Sequence, residues 1–192
     1  MEADWSVEIG ADLPSITVPW SADGLAFLNL RQALRESPAA LLPEAQHYPA
    51  LGRALAHLNS ASSQVFTSKC DVFALAADDL DPFEMESTSA NCNSGLACYI
   101  DLLRAGEAAF APFAEQEAWL KRTTHALRAT PSTQARAELV LRSASIATNH
   151  GTPRDGFGVT LYVTGCGRDP ATAQSSWEQA LARATDVMAT AA

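Results

Sequence analysis

The stretch Leu96-Ala97-Cys98-Tyr99-Ile100-Asp101-Leu102-Leu103-Arg104 decides how this chain folds. Alternate side chains of a strand point to opposite faces. Leu96, Cys98, Ile100 and Leu102 therefore share one side, and Tyr99, Asp101 and Leu103 the other. Such period-2 alternation predicts a half-buried strand. Outward from it, Val65–Leu75 precedes as a strand, and Ala137–Ile146 and Phe157–Thr164 follow. A helix-period segment stands ahead of each strand pair, at Glu44–Asn59 and Ala114–Arg128. The rhythm predicts a single α+β domain over residues 1–192, with an antiparallel sheet of four to six strands and helices packed on one face.

The flanking segments extend this frame. Trp5, Val7 and Ile9 alternate with Ser6 and Glu8, and Ile16 and Val18 resume the pattern after a turn at Gly10–Pro14. Residues 1–20 are expected to form an edge hairpin with its acidic side, Glu2, Asp4, Glu8 and Asp12, in water. Pro43-Glu44 suits a helix start, and Pro49 delays the regular part of that helix. Asp169-Pro170, a cap followed by proline at the first helical position, opens a C-terminal helix through Trp177, Leu181 and Val187. Leu25–Arg35 favours a helix by residue type, whereas a strand at Phe27–Leu30 would complete a βαββαβ order that resembles the ferredoxin-like fold. That order implies an architecture and leaves activity open, since such folds host many functions. Between the first two sheet strands, residues 76–95 make a long acidic loop (Asp78, Asp79, Asp81, Glu84, Glu86), expected to be mobile or a lid.

Reading each strand by parity sorts the chemistry. Phe66, Cys70 and Val72 fall on the aliphatic side, opposite Lys69, Asp71 and Phe73. Leu139 and Leu141 oppose Glu138, Val140 and Arg142, and Phe157, Val159, Leu161 and Val163 oppose Thr160, Tyr162 and Thr164. One face is then aliphatic and carries the helices. The other collects Lys69, Asp71, Tyr99, Asp101, Arg142, Thr160 and Tyr162, and is the expected site. Tyrosine offers contact area with a hydroxyl, Arg and Lys can hold a carboxylate or phosphate, and Asp can accept a proton. A face of this composition is equally at home in solvent, laced by cross-strand ion pairs, or beneath a partner subunit.

Composition excludes several functions. With a net charge of −9 and only Lys69 and Lys121 as lysines, the chain lacks the basic surface that nucleic acid requires. Arginine in place of lysine, with abundant alanine, also matches what a GC-rich bacterial genome encodes. No stretch approaches the roughly 20 apolar residues that span a bilayer, and the first residues are acidic, so a cytoplasmic protein is expected. Cys70, Cys92, Cys98 and Cys166 read as reduced thiols, three of them in or beside apolar strand-like runs. No Cys-x-x-Cys or His-Glu-x-x-His spacing supports a metal, and His47, His57, His125 and His150 are scattered. No cofactor is indicated. There is no Gly-x-Ser-x-Gly elbow, and Cys70 points to the greasy layer. Gly165-Cys166-Gly167 reads as a plain turn before the Asp169 cap, which would itself repel phosphate.

The expected role is a binding or interaction module using the mixed face, with a homodimer across it as one form. A small enzyme is the alternative, with Asp71 or Asp101 as general base and Arg142 and Tyr162 anchoring an anionic molecule. A third reading is capture of a cationic or protein ligand by the acidic loop Asp78–Glu86.

Overall fold

The computed structural model describes residues 1–19, 42–131, 134–147 and 152–191. The Leu25–Arg35 segment with its apolar run Leu25–Arg31, as well as Trp20 and His150, lies outside the described residues. Strands β1 (Glu2–Glu8), β2 (Ile16–Val18), β3 (Val65–Ala76), β4 (Ser94–Arg104), β5 (Ala135–Ile146) and β6 (Arg154–Gly167) form one mixed six-stranded sheet. Helices α1 (Pro43–His47), α2 (Pro49–Leu58), α3 (Phe113–Arg128) and α4 (Pro170–Thr190) accompany it. Pro49 splits the Glu44–Asn59 segment at Tyr48, because proline lacks the N–H that would bond back along the helix.

The helices cover one face. Leu51, Leu55 and Leu58 of α2, Trp119, Leu120 and Leu127 of α3, and Trp177 and Leu181 of α4 are fully buried. They share one core with Cys98, Ile100 and Leu102 of β4, Leu139 and Leu141 of β5, and Leu161 and Val163 of β6. Gly165 and Gly167 belong to β6 itself and are not a turn. A Cβ on Gly165 would overlap the backbone nitrogen of Trp177, and one on Gly167 would lie 2.5 Å from that of Ala173. Bare backbone at both positions lets α4 press onto the strand. Asp169 caps that helix as expected, its carboxylate accepting from the Thr172 N–H at 2.8 Å.

Sheet order departs from the expectation in three ways. The strands run β1-β5-β6-β4-β3, and β2 also pairs with β5. The slot between β4 and β5, which a ferredoxin-like order reserves for the Leu25–Arg31 run, is taken by β6, antiparallel to both neighbours. That order is therefore not confirmed: the short link from β5 to β6 makes them adjacent, as close-coupled strands usually are. The sheet is mixed rather than antiparallel, because β1 and β2 both run parallel to β5. For the same reason residues 1–19, the described part of the expected hairpin, make no hairpin. β1 lies along Arg136–Arg142 and β2 along Ala144–Ile146, so the chain keeps its direction across Gly10–Pro14 and forms a broken edge strand.

One face assignment also fails. In β3, Thr67 stands opposite Leu102 and Cys70 opposite Ile100, so Ser68 and Lys69 together face Asp101. This is a β-bulge, and the extra residue reverses the parity of everything before it. Phe66 consequently lies opposite Leu103 on the second face, while Cys70 and Val72 stay with the core.

The 76–95 loop carries a small core of its own. Leu80, Met85 and Cys92 are buried together with Cys166, packed on Leu75. Asp79 accepts from the Ala76 N–H at 3.1 Å, Asp81 accepts from the Phe83 N–H at 2.9 Å, and Glu84 pairs with Arg136. Those acids hold the loop's own shape.

Candidate functional site

The second face of the sheet is concave. β2 is hydrogen-bonded to the edge of β5, yet the Ser68 hydroxyl of β3, on the far side of the sheet, donates to the Thr17 carbonyl at 2.8 Å. Both contacts are met only if the sheet curls until its edges approach. Ile16 and Val18 then pack with Phe66, Leu103, Ala109 and Ile146 in a second, smaller core. Gly158 makes room for this, since a Cβ there would stand 2.7 Å from Ile16 Cδ1.

Beneath Pro14–Thr17 lies a cavity of about 270 Å³. Its walls include Lys69, Tyr99, Asp101, Arg142, Thr160 and Tyr162, which parity placed on this face, joined by Ser68. Asp71 is not among them. It shares the face, opposite Tyr99, but is exposed and spends Oδ1 on the Val72 N–H at 2.7 Å. Of the two candidate bases, only Asp101 lines the cavity.

The polar groups form a directed chain. Arg142 Nε donates to Thr160 Oγ1 at 2.9 Å, and Thr160 donates its single proton to Asp101 Oδ1 at 2.7 Å. Arg142 Nη2 stands 3.5 Å from the Tyr162 hydroxyl. Glu8, opposite Arg142 in the β1–β5 register, lies 2.7 Å from Nη1 but off the N–H direction, so Nη1 is buried with no aligned hydrogen bond. Arg142 is only 7 % exposed, which makes its guanidinium a desolvated cation with donors to spare.

On the other side, Lys69 sits 5.4 Å from the Tyr99 ring centre, and a hydrogen bond to Tyr99 holds its ammonium above the usual lysine range. Burial raises the Asp101 carboxyl above its ordinary value, against the opposing pull of Thr160, Lys69 and Arg142. Tyr99 is likewise raised by burial. The arrangement offers two cations, two phenols and one carboxylate around a space of metabolite size.

Sequence reading missed Ser68, Ile16 and Thr17. Nothing local marks Ser68 as a bulge, and the other two reach the cavity only through tertiary curl. Elsewhere, burial pushes the Cys70 and Cys98 thiols up to about 12, which makes them poor nucleophiles. Among the described residues no group of three or more His, Cys, Asp or Glu side chains is placed to hold a metal, and no helix is long and apolar enough to cross a membrane. No known family, curated protein or solved structure matches this chain.

Proposed function

We propose that this protein binds a small anionic molecule in the cavity beneath Pro14–Thr17. The supporting observation is the convergence of Lys69 and the nine-tenths buried Arg142 on one 270 Å³ space. Glu8 pairs with this guanidinium only from the rim, and a carboxylate or phosphate entering the cavity matches its fork. A homodimer across this face is the weaker form of the reading, because Pro14–Thr17 already lie over it.

Isothermal calorimetry against small mono- and dicarboxylates and inorganic phosphate tests the proposal. At least one should bind, and Arg142→Met should lose that binding while retaining the helical circular-dichroism signal. No heat from any of them, or equal binding by Arg142→Met, overturns it.

One observation favours catalysis as a second reading: Asp101 is the carboxylate whose burial biases it toward holding a proton. In that reading Asp101 is the general base, and Arg142 and Tyr162 anchor the substrate. Turnover of a bound anion by the wild type, absent in Asp101→Asn, would establish it.

A further inference from the structure

We infer that the anionic ligand carries a hydrogen-bond donor, a hydroxyl or an ammonium, on a carbon next to or near its acid group, as in a hydroxy acid or an amino acid. The inference rests on the anion-binding reading and specifies what that anion must look like.

The argument is one of donor direction. A carboxylate only accepts, and each of its oxygens offers lone pairs. Asp101 Oδ1 is occupied by the Thr160 hydroxyl, while Oδ2 takes no hydrogen bond among the described residues. Thr160 cannot serve a ligand acceptor there, because its one proton already goes to Asp101. At a pH where Asp101 has lost its proton, an acceptor brought against it would meet like polarity with no proton between them, whereas a ligand donor pairs with it.

Spacing ties the donor to the anion. Asp101 and Arg142 are bridged by a single atom, Thr160 Oγ1, at 2.7 Å and 2.9 Å. A ligand that meets both poles carries its acid and its donor close together. A plain alkanoate fills the Arg142 side and leaves the Asp101 side unsatisfied. Asp101 Oδ2 is not among the buried unpaired atoms and is open to water; a ligand that displaces this water without offering a donor leaves the acceptor unpaired, and that cost should show as selectivity.

The test uses probes matched in size: malate, which also matches succinate in charge, and aspartate, which adds an ammonium, are compared with succinate by calorimetric titration into the full chain at one near-neutral pH and one salt concentration. Malate or aspartate should bind at least about tenfold more tightly than succinate. In Asp101→Asn, whose amide can donate, that preference should disappear while affinity for succinate is kept or rises. Equal binding of all three by the wild type overturns the donor inference and leaves the anion-binding reading standing. Absence of binding by these three, by phosphate and by the other carboxylates overturns both. The wild-type comparison decides the matter even if the variant fails to fold.

Discussion

Arg142 is the residue on which the site depends, and its neighbours are graded by exposure. Thr160 holds it from inside, whereas Glu8, nearly half exposed, holds it from the rim. A rim carboxylate competes with any anion for the same guanidinium. Glu8→Gln should therefore tighten anion binding by up to about fivefold, the scale of one partly exposed ion pair; unchanged or weaker affinity by calorimetry would contradict the competition. Asp101 carries a second consequence. Its proton is held more tightly in the fold than in the unfolded chain, so stability falls as pH rises from the ordinary carboxylate value of 3.8 through the raised folded value. Above that window the ionised group is a standing cost. Asp101→Asn should raise Tm near neutral pH, with the gain shrinking in acid below 3.8; a gain that does not vary with pH would refute this. Most of the cavity-lining side chains were legible from parity alone, because alternation is a property of neighbouring residues. Ser68 was not, because a bulge depends on which residues of the partner strand it meets.

At the scale of elements, the β3 bulge and the glycines of β6 do the positioning. The bulge turns Ser68 and Lys69 together toward Asp101, and Ser68 ties β3 to β2. Deleting Ser68 removes that tie and lets regular alternation resume. Binding of the anionic probes should be lost while the helical circular-dichroism signal persists, and retained binding would show that the bulge is dispensable. On the opposite face, α4 can lie against β6 only because Gly165 has no side chain. Gly165→Ala forces helix backbone away from strand backbone and should destabilise by roughly 1–3 kcal/mol, read from urea denaturation. An unaffected midpoint would show that helix and strand backbone are not in contact at Gly165. Strand and helix positions were readable from periodicity, but their pairing was not. β1 and β2 look like the two arms of a hairpin until β5, far along the chain, supplies an edge that accepts both.

The whole molecule is a curled sheet with a greasy back and a polar front, and its stability resides in the back. Leu161, fully buried at the centre of β6, should cost about 2–5 kcal/mol when changed to Ala. Phe83, 91 % exposed on the 76–95 loop, should change stability by less than about 0.5 kcal/mol when changed to Ser. Guanidinium melts of the two variants check the contrast, and similar losses would mean the loop is part of the main cooperative unit. The amino-acid order alone determined the helices, the strands and the polar membership of the second face, since each follows from spacing within a few residues. Only tertiary structure decided that β6 fills the central slot, that β2 roofs the front, and that a flat polar surface becomes a cavity. Those outcomes depend on contacts between distant segments and on edges competing for partners, for which no local pattern carries a signal.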